Sequence, residues 1–113
     1  MSAHDGWIAV DLDGTLAHYD KWRGVEHIGE PIMPMIERVK IWLAEGIKVK
    51  IFTARCAEKN PKVTLYIEEW CGKHLGQTLE ITNVKDFGMI ELWDDRSICV
   101  ERNTGKILGR NSA

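Results

Sequence analysis

Two pairs of carboxylates stand out in the sequence: Asp11 and Asp13 within Asp11-Leu12-Asp13-Gly14-Thr15, and the adjacent Asp94-Asp95. Each pair closes a short apolar run, Trp7-Ile8-Ala9-Val10 in one case and Ile90-Glu91-Leu92-Trp93 in the other. Gathered into one crevice, such charges repel, and one of each pair is driven to hold a proton. A hard divalent cation removes that penalty. Mg2+ takes oxygen ligands, commonly one or two carboxylates together with waters and a substrate phosphate. Chemistry at a phosphoryl group then requires an in-line nucleophile, donors on the equatorial oxygens and an acid for the leaving group. Asp11 is a candidate nucleophile because aspartate can form an acyl phosphate, and Asp13 can protonate the leaving alkoxide and then activate water. Thr53 (a hydroxyl donor) and Lys85 (a point charge) are candidates to hold the phosphoryl oxygens. Thr53 also reads as an ordinary helix N-cap, and Lys73 is an alternative to Lys85. Gly14 lets the chain turn sharply and brings backbone amides near a phosphate. Arg55, beside Thr53 and Ala54, is placed to fork onto phosphate.

The elements that must position these residues follow from the hydropathy pattern. Residues 7–10 read as a buried central strand. Residues 14–31 have no helical period and read as a loop or small hairpin. Pro34 suits the first turn of a helix whose apolar face is Met35, Ile36, Val39, Ile41, Trp42 and Leu43, with Gly46 at its end. Residues 47–52 form a second strand, with Ile47, Val49 and Ile51 alternating against Lys48 and Lys50. A second helix is expected from about Asn60-Pro61 to His74, with Val63, Leu65, Ile67 and Trp70 on its face and Gly72 or Gly76 at its exit. Residues 79–84 and 90–93 read as the third and fourth strands. Residues 98–100 and 106–108 flank Asn103-Thr104-Gly105 as a C-terminal β-hairpin.

This order predicts an α/β fold, a doubly wound, mostly parallel sheet with helices on its faces. In open sheets of that kind ligands sit beyond the carboxyl ends of the strands. Asp11 and Asp13, Thr53 and Arg55, Lys85, and Asp94 and Asp95 each follow a strand. Of the five tryptophans, Trp7, Trp42, Trp70 and Trp93 fall on apolar faces and are expected in the core. Arg96 is expected in an internal ion pair.

A chain of 113 residues makes one domain with a single core. Its 44% hydrophobic and 28% charged residues are ordinary for a soluble globular protein. A formal net charge of −2 provides no basic field for tight, sequence-independent nucleic-acid binding. No apolar stretch is long enough to span a bilayer. The run Met1 to Gly6 lacks the flank and apolar stretch of a signal peptide. Cys56, Cys71 and Cys99 are odd in number and scattered, as expected of reduced thiols in a cytoplasmic protein rather than a disulfide framework or a zinc site.

The chain resembles the haloacid dehalogenase superfamily of phosphatases over roughly residues 7–101. Val10-Asp11-Leu12-Asp13-Gly14-Thr15-Leu16 matches the first motif of that superfamily and Lys50-Ile51-Phe52-Thr53-Ala54-Arg55 the second. Lys85 matches the third, and Leu92-Trp93-Asp94-Asp95-Arg96 the fourth. The resemblance implies a Rossmann-like sheet and Mg2+-dependent phosphomonoester hydrolysis through a phosphorylated Asp11. It makes Asp13 the general acid/base, with its main-chain carbonyl also reaching the metal, and gives the phosphoryl group to Thr53 and Lys85. It places Asp95 on Mg2+ directly, with Asp94 water-linked.

Members of the superfamily take their specificity from caps, and this sequence leaves room only for a flap at about residues 17–31. The site is therefore expected to be open, or covered by a neighbouring subunit of a homo-oligomer. His18, Tyr19, Trp22, Arg23 and His27 of the flap would meet the leaving group. A nucleotide or a nucleic-acid-end phosphate is the favoured substrate, with a sugar phosphate or other small-metabolite phosphate as the alternative. A receiver-like phospho-acceptor switch is the rival of another class. It would carry adjacent acidic residues after its first strand and a lone acceptor aspartate after its third, an order this chain does not follow.

Overall fold

The computed structural model describes residues 6–109. Residues 1–5, which belong to the run read as carrying no signal peptide, lie outside it. Four strands, β1 (Trp7–Val10), β2 (Lys48–Phe52), β3 (Glu80–Thr82) and β4 (Met89–Trp93), pair in parallel in the order β3-β2-β1-β4. The third strand is shorter than its apolar run suggests. β1 lies between β2 and β4, and all four of its residues are buried. Successive side chains point to opposite faces of the sheet, so burial of all four means burial on both faces, which accounts for the unbroken apolar sequence.

Helix α1 (Met33–Ala44) joins β1 to β2, and α2 (Val63–Leu75) joins β2 to β3. Both crossovers step the same way across the sheet, so a common handedness puts both helices on one face. Met35, Ile36 and Val39 of α1 and Val63, Ile67, Trp70, Cys71 and Leu75 of α2 share one core with Ile8, Val10, Val49 and Ile51. Burying each large aliphatic side chain in it contributes about 1.5–3 kcal/mol. The doubly wound expectation is corrected here, because β3 reaches β4 through residues 83–88 without a helix to cover the other face.

That other face is covered by its own side chains. Lys50, which alternation marks as solvent-facing, is only 8% exposed. Its ammonium lies 4.3 Å from the centre of the Trp7 ring and 3.1 Å from Glu80 Oε2. A long apolar stem and a charged tip let lysine fill this place beside an aromatic ring. The indole of Trp7 is fixed in turn by donating from Nε1 to Asp86.

The helix termini follow the sequence closely. Pro34 occupies the first turn of α1, and Gly46 just beyond it takes φ +81°. Gly76 caps α2 in the left-handed region, while Gly72 lies inside the helix. Ile41 and Leu65, counted in the apolar faces, are about half exposed. Each stands two residues from a core position, and a step of two carries a side chain to the far side of a helix. α2 begins at Val63, after a turn in which Asn60 Oδ1 accepts the Lys62 N–H.

Trp7 and Trp70 are buried. Trp42 and Trp93 are partly buried and meet edge to face, 5.2 Å between ring centres. Strands β5 (Cys99–Val100) and β6 (Ile107–Gly109) form the expected antiparallel hairpin as a separate two-stranded sheet. Asn103 and Gly105 supply positive φ at its turn. Among the described residues no helix is long and apolar enough to cross a membrane, and Cys56, Cys71 and Cys99 are free thiols.

Candidate functional site

The turn after β1 is built around two leucines. Leu12 and Leu16 are fully buried, and the Leu12 carbonyl accepts N–H bonds from Leu16 and Ala17 at 3.0 and 2.8 Å. Anchoring Leu12 inward leaves its neighbours Asp11 and Asp13 lining a cleft at the carboxyl ends of the strands. Gly14 turns the chain with φ +93°. A Cβ there would lie 2.6 Å from Asp95 Oδ2, so the position needs glycine for its conformation and for the close approach.

Two contacts fasten this turn to the end of β4. The Asp11 N–H donates to the Trp93 carbonyl at 2.9 Å. The Thr15 hydroxyl donates to Asp95 Oδ1 and accepts the Asp95 N–H, both at 3.0 Å. Asp94 Oδ1 accepts the Arg96 N–H. The two acidic turns, 80 residues apart in sequence at Thr15 and Asp95, thus form one unit.

Asp11, Asp94 and Asp95 each present a carboxylate oxygen, and these oxygens lie within 4.8 Å of one another. The proton affinity of Asp11 reflects the crowding: its pKa is pushed up from 3.8 to about 8. Burial is the largest cause, followed by a hydrogen bond with Asp95 and the charges of Asp94, Asp95 and Asp13. The three clustered carboxylates form an all-oxygen donor set that could hold a hard cation.

Arg55 takes a different place from the one its sequence position suggests. It is buried, 4% exposed, and forks onto Asp13, with Nε 2.8 Å from Oδ2 and Nη2 2.9 Å from Oδ1. Its Nη1 and Nη2 groups also donate to the Val25 and His27 carbonyls at 3.1 and 2.8 Å. It thus braces Asp13 and the flap while also lining the cleft. Thr53 is the cap that one reading expected: its hydroxyl oxygen accepts the Arg55 N–H at the start of a short 3-10 turn (Ala54–Ala57), and the residue also lines the cleft.

The flap is held at several points. The Ile32 N–H donates to the Leu16 carbonyl, the His18 N–H to Glu30, and Trp70 Nε1 to the Gly29 carbonyl. Of the flap side chains expected at the leaving group, Tyr19 and Trp22 line the cleft. Arg23 pairs instead with Asp20 at the surface, and His27 contributes its backbone carbonyl to Arg55.

The cleft encloses about 680 Å3 and brings together Asp11, Asp13, Thr53, Ala54, Arg55, Asp94 and Asp95. Lys85 is exposed on the connection after β3 and is not among the lining residues, where Asn83 represents that connection. Arg96, expected in an internal pair, lines the cleft, as do Glu58 and Phe52. Glu58 and Asn83 carried no signal in the sequence, since each is a single polar residue in a loop. Arg96 could have been found by its place immediately after the fourth-strand carboxylates.

The chain is similar in fold to a conserved protein of Bacteroides thetaiotaomicron whose structure is solved. The TM-score is 0.56 at 23% sequence identity, over 90% of this chain and 80% of that one. No protein-family model matches the chain, and no curated protein does.

Proposed function

We propose that this protein is a Mg2+-dependent phosphomonoester hydrolase of the haloacid dehalogenase type, working through a phosphorylated Asp11. The observation that carries the reading is the meeting of Asp11, Asp94 and Asp95, with carboxylate oxygens within 4.8 Å, in a cleft that Asp13 and Thr53 also line. The three carboxylates and the Asp13 main-chain carbonyl are the groups that would hold Mg2+. When bound, the cation offsets the charge of the carboxylates and of the incoming phosphate.

The residues then divide the work. An Asp11 carboxylate oxygen attacks phosphorus, the bond from phosphorus to the leaving oxygen breaks, and Asp13 gives that oxygen its proton. Asp13 next takes a proton from water, the water oxygen bonds to phosphorus, and the bond to Asp11 breaks to release inorganic phosphate. The Arg55 fork favours Asp13 as the carboxylate, the form that takes the proton from water. The Thr53 hydroxyl accepts from the Arg55 amide through a lone pair, which leaves its proton for a phosphoryl oxygen. Lys85 would supply a flexible charge from the connection after β3. The fold adds support, since the acidic turns close adjacent parallel strands at the end where open α/β sheets bind ligands.

Hydrolysis of p-nitrophenyl phosphate tests the reading. Turnover is expected with Mg2+ and not with EDTA, and Asp11→Asn is expected to abolish it. Metal-independent turnover, or full activity of Asp11→Asn, would overturn it.

A further inference from the structure

We infer that the flap selects the leaving group and that this group is a nucleoside, so the substrate is a nucleoside monophosphate whose base stacks on Trp22 and Tyr19. The inference rests on the phosphohydrolase reading of the cleft. Trp22 and Tyr19 are 46% and 44% exposed, and both line the cleft that holds Asp11 and Asp13. Trp7 and Trp70, in contrast, are buried with their indole N–H groups bonded within the protein. The Trp22 ring is braced from behind by the guanidinium of Arg55, whose central carbon lies 4.9 Å from the ring centre. Arg55 is itself immobilised by Asp13 and by the Val25 and His27 carbonyls. The same guanidinium therefore fixes the candidate acid/base and the aromatic surface, setting a platform at a defined place relative to the reacting phosphate.

A rigid aromatic surface binds a planar ring with little loss of side-chain freedom. Every nucleobase offers a π-face to such a surface. Asn83 and Glu58 line the same cleft, and an amide and a carboxylate supply the donors and acceptors that a base edge requires. Size and charge separate a mononucleotide from a polynucleotide end. The 680 Å3 cleft is in the range of small-molecule sites. The net charge of −2 gives no overall attraction for a polynucleotide backbone.

The test compares kcat/KM for adenosine and uridine 5′-monophosphates with that for glycerol 2-phosphate, which has no ring, in the wild type and in Trp22→Leu and Tyr19→Leu. The nucleotides are expected to be preferred, and the preference is expected to fall about 10- to 100-fold in Trp22→Leu, the span of one base–aromatic stack. Trp22→Phe should restore most of it. Equal rates on ringed and ringless esters in the wild type, or an equal loss on both in Trp22→Leu, would overturn the inference. So would faster cleavage of a 3′- or 5′-phosphorylated oligonucleotide than of the mononucleotides. If no ester is hydrolysed at all, the phosphohydrolase reading fails separately, and tryptophan fluorescence of Asp11→Asn titrated with adenosine 5′-monophosphate decides the platform. Saturable quenching lost in Trp22→Leu supports it, and no quenching contradicts it.

Discussion

Arg55 grips both carboxylate oxygens of Asp13, at 2.8 and 2.9 Å, across 42 residues of sequence. The contact joins the turn after β2 to the turn after β1, and through the Val25 and His27 carbonyls it joins both to the flap. One side chain thus sets the relative position of the candidate acid/base and of the wall the leaving group meets.

Removing that side chain should cost both stability and activity. Breaking a buried ion pair from one side costs about 3–5 kcal/mol, and the partial exposure of Asp13 (19%) puts Arg55→Ala near the lower end. A drop in melting temperature on the order of 10 °C or more is expected, with loss of phosphatase turnover. Arg55→Lys should recover little of either, because an ammonium cannot fork onto two oxygens. Thermal melts of the two variants check this.

The proton on Asp11 links stability to pH and to the cation. In the folded protein without a cation Asp11 holds its proton up to about pH 8, against 3.8 ordinarily. Between those values the folded state carries more protons than the unfolded one, so stability should fall as pH rises from about 4 to 8. A bound cation must displace that proton, so Mg2+ affinity should rise across the same window. Melting temperatures at pH 5 and pH 8, in EDTA and in Mg2+, check both expectations. The stabilisation by Mg2+ should be larger at pH 8.

Gly14 tolerates no side chain. Gly14→Ala would place a Cβ 2.6 Å from an Asp95 oxygen at φ +93°, a strained conformation costing about 1–3 kcal/mol. It should also displace Asp95 from Asp11 and so weaken cation affinity more than it lowers stability. Calorimetric Mg2+ titration beside a thermal melt separates the two effects.

The acidic half of the site was legible in the sequence because strands announce their own ends. The runs Trp7–Val10 and Ile90–Trp93 each stop at carboxylates, and parallel pairing brings those ends together. Arg55 was legible as a residue of the candidate site but its contacts were not, since its partners are an aspartate 42 residues away and two flap carbonyls. Backbone acceptors carry no residue signature. The burial of Lys50 escaped for a related reason: a lysine reads as solvent-facing until a Trp7 ring and a Glu80 carboxylate are known to lie beside it. Both helices share one face because both crossovers step the same way, and the other face has no helix because the connection at residues 83–88 is too short for one.

The measurement that bears most directly on the account is chemical trapping of Asp11. Borohydride reduces an aspartyl phosphate to homoserine, so the protein is quenched during turnover with Mg2+ and substrate, reduced, digested and analysed by mass spectrometry. The account predicts homoserine at residue 11, absent in Asp11→Asn and absent without Mg2+, together with steady release of inorganic phosphate. Phosphate release with residue 11 unmodified throughout, or a stable phosphoprotein that releases no phosphate, would contradict it.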